Sequence, residues 1–217
     1  MNRSPEDLVL QLRPEVDLAS GCVVAAEALT GGAGLGAAVG AAAGAAARLR
    51  TADPAFRVWF GASAYELDRL ARLAGNGSLR GLGVSVTEDA AMRDAPRTIR
   101  ALVALRAAGL AIALDDFGAG RSSLGQLHRF PVDVVKLDRA FAAGRPGDPR
   151  DREIVRAVAR IGERLGFEIL AKGVETAAEA RALGEAGCRY GVGDHFGRPV
   201  RVGDLVGLVG RRRLVAS

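Results

Sequence analysis

The sequence predicts an α/β barrel with one antiparallel strand, and three observations carry that expectation. Strand-type and helix-type segments alternate through most of the 217 residues, the pattern of a parallel sheet covered by helices. Charged residues recur at the carboxyl ends of the predicted strands, where the βα loops of a barrel build its site. The first two strands are joined by a short turn at Ser20-Gly21, which makes one of them run against the rest.

In chain order, Leu8 to Leu12 and Cys22 to Leu29 read as the hairpin strands. Leu35 to Arg50 reads as a helix, although Gly36, Gly40 and Gly44 each weaken it by about 1 kcal/mol relative to alanine. Phe56 to Phe60 is apolar and aromatic enough for a strand, and a helix follows from Ala64 to Leu73. Leu82 to Val86 is the next strand. Pro96 suits a helix first turn and leads into Thr98 to Ala108, then the strand Leu110 to Leu114. Val132 to Leu137, Phe167 to Ala171 and Tyr190 to Val192 complete the strands, separated by helices at Arg152 to Leu165 and Thr176 to Ala186. Thr176 and Glu179 have capping-box spacing, and Gly187 supplies the stop.

Length fits one barrel domain, residues 1–210, followed by a basic tail at 211–217 that holds Arg211, Arg212 and Arg213. Hydrophobic residues make up 49% and aromatics only 5%, so the core is built from Ala, Val and Leu. The net charge of +5 permits an anionic partner without demanding one. No basic-plus-aromatic motif is present, so nucleic acid is not an expected partner. No signal peptide or membrane-spanning run is visible, which gives a cytoplasmic expectation with no membrane association. Cys22 and Cys188 lack metal-type spacing and read as small core hydrophobes. His128 and His195 have no partner histidine, and Trp59 reads as a core or interface residue.

The run Ile112-Ala-Leu-Asp115-Asp116-Phe-Gly-Ala-Gly-Arg121-Ser-Ser-Leu124 delivers two adjacent carboxylates to a strand exit. Two such acids side by side are costly unless a cation sits between them. Downstream come Val135-Lys136-Leu137-Asp138, Ala171-Lys172-Gly173-Val174-Glu175 and Phe196-Gly197-Arg198-Pro199, and upstream lies Ala26-Glu27-Ala28-Leu29. With these segments the chain resembles the EAL domain family, bacterial barrels that linearise cyclic di-GMP with two divalent metals. The resemblance spans roughly Leu8 to Leu208, specific in the second half and eroded in the first. It implies an EAL-type modified TIM barrel. The region after Glu27-Ala28-Leu29 is short for the family: Thr30-Gly31-Gly32-Ala33-Gly34 stands where a longer lid is usual.

By that resemblance Glu27, Asp115 and Asp116 correspond to metal ligands, Lys136 to the lysine that contacts the attacking water and phosphate, Glu175 to a glutamate supporting the site, and Glu88 to one that steadies the loop after Asp116. Other positions depart from the family. Gly61 replaces an asparagine ligand, Ser85 a glutamate, Lys172 a glutamate at the second metal, Val192 a glutamine, Gly31 a phosphate-gripping arginine and Arg121 a tyrosine. A unit cation about 4 Å from a divalent ion, at an effective dielectric near 20, costs on the order of 8 kcal/mol. Lys172 is therefore expected to replace the metal as a counter-ion to Asp115 and Asp116, leaving Glu27, Lys136 and Glu175 vestigial.

The resemblance and its losses imply a non-catalytic EAL domain, a regulatory or protein-interaction module in cyclic di-GMP-related signalling. The expected cofactors are none, the ancestral Mg²⁺ or Mn²⁺ being lost, and binding of cyclic di-GMP is not expected. The protein partner is unspecified, and retention of most of Phe117 to Leu124 leaves room for a homodimer. The alternatives are a phosphodiesterase with a weakened metal site and a cyclic di-GMP receptor that does not hydrolyse.

Overall fold

The structure is a computed structural model that describes residues 10–74, 79–119, 124–143 and 149–210. In chain order its elements are β1 Gln11–Asp17, β2 Val23–Leu29, α1 Leu35–Leu49, β3 Arg57–Gly61, α2 Ala64–Ala74, β4 Leu82–Thr87, α3 Glu88–Arg93, α4 Ala95–Ala107, β5 Ala111–Phe117, α5 Leu124–Leu127, β6 Val134–Leu137, α6 Ala140–Ala143, α7 Pro149–Leu165, β7 Glu168–Lys172, α8 Ala177–Glu185, β8 Tyr190–Val192 and α9 Val202–Val206. The strands close into a barrel in the order β1 to β8. β1 is antiparallel to both β2 and β8, and the remaining neighbours are parallel. The architecture is the expected one, including the short connection of residues 30–34 before α1, where Gly31 and Gly32 take positive φ of 57° and 80°.

β1 is displaced from its expected place. It covers Gln11–Asp17, whereas Leu8 and Val9 lie outside the described residues. Pro14 argues against a strand on sequence alone. The structure tolerates it because residues of its parity turn their N–H toward the β8 side. The Leu12 N–H donates to the Val200 carbonyl and the Leu18 N–H to that of Arg189, and β8 pairs only as far as Val16. Pro14 thus faces a gap in the ladder, where no donor is required.

Side chains alternate between two cores. The outward set packs under the helices and includes Leu12, Val58, Val84, Leu114 and Val135. The inward set comprises Ala25, Trp59, Ala111, Ala113, Val134, Leu170 and Val192. Trp59 fills much of the space these small residues leave, and Gly83 is what admits it. A Cβ at Gly83 would lie 2.2 Å from the indole. At α8 Thr176 and Glu179 form the predicted reciprocal capping box, and at α4 Pro96 lies in the first turn as predicted, while the Asp94 side chain, not foreseen, accepts from the Arg97 N–H. Cys188 is buried, which pushes its thiol up to about 12.

Candidate functional site

Inward residues at the carboxyl ends of the strands form the barrel mouth. Asp115 and Asp116 lie near the end of β5, Lys172 ends β7, Glu27 lies near the end of β2, and Lys136 sits inside β6. Adjacent residues of a regular strand point to opposite faces, so Asp115 and Asp116 would ordinarily diverge. Here the β5–β6 register shifts between Leu114 and Phe117, and Asp116 adopts φ 53°, the sole non-glycine positive φ among the described residues. That bulge turns both carboxylates to one side.

Lys172 takes the position between them. Its Nζ donates to Asp115 Oδ1 at 2.8 Å and to Asp116 Oδ1 at 2.6 Å. Burial alone would lower the ammonium pKa, but the two carboxylates more than reverse this and raise it. The lysine is therefore charged at neutral pH. The Asp116 N–H also donates to Asp115 Oδ1, at 2.8 Å, closing the cluster.

Lys136 lies deeper, 1% exposed. Its Nζ donates to Glu15 Oε1 at 2.7 Å and stands 4.9 Å from the centroid of Trp59. Burial would lower its pKa, while Glu15, Glu27 and Asp115 together raise it. Glu15 itself is 2% exposed, and burial outweighs Lys136 in raising its pKa. The expectation that Lys136 serves a phosphate and water at the mouth meets a different geometry: its hydrogen bond goes to a buried carboxylate of β1. Sequence reading missed Glu15, because it placed β1 before Pro14 and so left Glu15 in the turn.

The other predicted residues are less convergent. Glu27 is half-buried, and its side chain makes no hydrogen bond or ion pair among the described residues. Glu88 is the first residue of α3, and its Oε2 accepts from the Gly118 N–H at 3.1 Å, in the loop that follows Asp116. Glu175 is exposed, and it is its backbone N–H that engages, donating to Glu179 Oε2 at 2.7 Å. Gly61 and Val192 bring no polar side chain to the mouth, and the Ser85 hydroxyl is buried without a partner. His128 is exposed, while His195 stacks edge-on to Phe196 at 4.9 Å. Arg121 and half of the Phe117 to Leu124 loop considered for a homodimer, residues 120–123, lie outside the described residues.

Two-metal hydrolysis requires several hard oxygen donors turned toward two divalent ions. This donor set does not fit that requirement. The two adjacent acids are already bridged by an ammonium, and Glu27 joins neither. Among the described residues no group of three His, Cys, Asp or Glu side chains has metal-site geometry.

Residues 62–199 match the family model of the EAL domain. The cyclic di-GMP phosphodiesterase NbdA of Pseudomonas aeruginosa is 40% identical over 124 residues, which is 57% of this chain and 16% of that protein. The chain thus spans less than a fifth of that relative. Among solved structures, the EAL domain of Mycobacterium smegmatis DcpA has a TM-score of 0.83 at 29% identity, covering 98% of this chain and 100% of that one. The PaMucR phosphodiesterase in complex with c-di-GMP has a TM-score of 0.78 at 30% identity, covering 92% and 94%. This last finding corrects one expectation. Binding of cyclic di-GMP was not expected, on the strength of Gly31 and Val192, yet a barrel alike along nearly its whole length is seen holding that nucleotide. Two absent side chains do not carry the inference that binding is lost. No helix among the described residues is long and apolar enough to cross a membrane.

Proposed function

The chain belongs to the EAL domain family, and from that membership together with the charge pattern of its mouth we propose that it is a regulatory EAL domain that takes cyclic di-GMP as a ligand without hydrolysing it. The observation that carries this reading is the Lys172 ammonium held 2.8 Å from Asp115 and 2.6 Å from Asp116. A divalent ion on either acid would have to displace that ammonium and then tolerate it nearby, against on the order of 8 kcal/mol of repulsion. The mouth is metal-free in this reading, and the barrel passes its liganded state to a protein partner by contact. The complex of the PaMucR phosphodiesterase with c-di-GMP supports the choice of ligand.

A second reading, a phosphodiesterase with altered metal use, is favoured by retention of Glu27, Asp115, Asp116 and Lys136 and by the activity named for NbdA. One experiment separates them. Purified protein is incubated with cyclic di-GMP and millimolar Mg²⁺ or Mn²⁺, and the nucleotide is analysed by chromatography. The regulatory reading expects bound but intact cyclic dinucleotide. Accumulation of linear product that disappears in Asp115→Ala establishes the enzyme instead.

A further inference from the structure

Of the 30 lysine and arginine residues in the chain only two, Lys136 and Lys172, are lysines, and both lie on strands of the site. A guanidinium is a rigid planar fork, whereas an ammonium is a compact charge on a flexible stem and exchanges partners readily. Lys172 has its partners at the mouth. Lys136 has a choice of partners. The β5–β6 register sets it opposite the bulge that holds Asp115 and Asp116, and the carboxylates of Glu15, Glu27 and Asp115 all act on its ammonium. Its hydrogen bond goes to Glu15, at 2.7 Å. The side chain of Glu27, half-buried, is left with no ion pair among the described residues.

Burial explains the choice. Glu15 is 2% exposed, so its charge would be stranded without the ammonium. Water reaches Glu27 and serves it in the ammonium's place. Glu15 therefore wins Lys136 from the acids of the mouth. We infer that Glu15 is a positioning residue that withdraws Lys136 from the mouth and so weakens the hold of the mouth on an anionic ligand. Lys136 is a two-seat ammonium: Glu15 is the seat taken in this structure, and the side facing Glu27 and Asp115 is the other. The inference rests on the ligand reading proposed above and adds to it an inhibitory contact inside the barrel.

The test begins with calorimetric titration of cyclic di-GMP into the full chain in EDTA. Glu15→Gln binds about tenfold more tightly than the parent, the gain expected for one hydrogen bond to a charged group. Glu15→Gln combined with Lys136→Met loses that gain. Glu15→Asp, which keeps the carboxylate but shortens its reach, gives an intermediate gain and stands in should Glu15→Gln fail to fold. The position of the ammonium is read separately, by NMR of protein with 15N-labelled lysine side chains, where only two ammonium groups contribute. Glu27→Gln shifts the Lys136 signal far less in the parent than in the Glu15→Gln background. Ligand-free Glu15→Gln also melts closer to the parent than Lys136→Met does, because the freed ammonium has a second seat and the freed Glu15 carboxylate has none. If the parent and Glu15→Gln bind equally, the inference fails although the ligand reading stands. If the gain survives in the double variant, it comes from the lost carboxylate rather than from Lys136, and the inference fails. If Glu27→Gln shifts the Lys136 signal equally in both backgrounds, or if Glu15→Gln and Lys136→Met melt alike, the pair is structural only. If neither the parent nor Glu15→Gln binds in EDTA, the metal-free ligand reading fails and takes this inference with it.

Discussion

Lys136 and Lys172 are inward lysines on neighbouring strands, and their surroundings give them opposite roles. Lys136 is enclosed. Its side chain is 2% exposed, it bonds to a Glu15 side chain that is 3% exposed, and it rests against Trp59. Lys172 is 23% exposed and bridges two acids at the edge of solvent, one of them 41% exposed. The same residue type is a core ion pair in one place and a counter-ion of the site in the other. Depth decides which. Removing a charge from the enclosed pair strands its partner where water cannot compensate, whereas removing one at the mouth changes what the mouth can bind.

The largest effect is therefore expected inside the barrel. Lys136→Met should cost about 3–5 kcal/mol, because Glu15 stays buried without its partner. Glu15→Leu combined with Lys136→Met should recover most of that loss, since replacing both partners by apolar groups removes the uncompensated charge. Urea denaturation of the two single variants and the double variant measures the coupling. Additive losses would mean that the pair is solvated and the contrast between the lysines is false.

A smaller effect is expected at the mouth. Lys172→Met should cost about 1.5–3 kcal/mol, the range for hydrogen bonds to charged groups. Lys172→Glu should also melt lower than the parent, but millimolar Mg²⁺ or Mn²⁺ should restore it, by about 2.7 kcal/mol at a hundredfold excess over Kd. Thermal melts with and without metal test this. An Lys172→Glu protein indifferent to both ions would show that charge alone did not close the mouth to metals.

The pH dependence sharpens the same point. Burial works to lower the Lys172 pKa, but Asp115 and Asp116 raise it above its ordinary 10.5. A cation whose folded pKa is raised contributes stability that is fully present below the unfolded value and is lost as pH rises through the folded value. The stability gap between the parent and Lys172→Met should thus be flat from neutral pH to about pH 10 and shrink beyond 10.5. A gap that closes between pH 7 and 9 would place the ammonium outside the carboxylate cluster.

Much of the fold was legible in the sequence because its strands are short apolar runs that end in charge. The Lys172 pairing was legible for a related reason: two adjacent acids at a strand exit require a cation, and a lysine stands at the corresponding exit of a nearby strand. What escaped was depth and register. Lys136 also sits near a strand end, and nothing local distinguishes a lysine at the mouth from one enclosed below it. Glu15 and Arg13 escaped because Pro14 reads as a strand breaker, and only the gap beside β8 makes it acceptable. Nothing local in the strand singles out Gly83 as the residue that admits Trp59 from the adjacent strand. Glu88 was assigned only through the loop it steadies, and its place as the first residue of α3 was not foreseen. The family match likewise covers residues 62–199 and leaves out β1 and β2, while the structural match to the DcpA domain covers 98% of the chain. The barrel's shape extends further along the chain than the residues by which its family is recognised.

The smallest effect is expected at Glu175. Its side chain is exposed, and only its backbone engages the α8 cap. Glu175→Ala should change stability by no more than about 0.5 kcal/mol, as is usual for surface positions. It should also leave cyclic di-GMP binding unchanged in the same titration. A clear loss of binding would show that the side chain reaches the mouth when ligand is present.

The account stands or falls on whether Lys172 holds the place of a metal, and titration of Mn²⁺ alone into the parent protein, followed by calorimetry, tests that most directly. The predicted result is no saturable heat at millimolar Mn²⁺ for the parent and saturable binding for Lys172→Glu. Stoichiometric Mn²⁺ binding to the parent that is abolished in Asp115→Ala would contradict it.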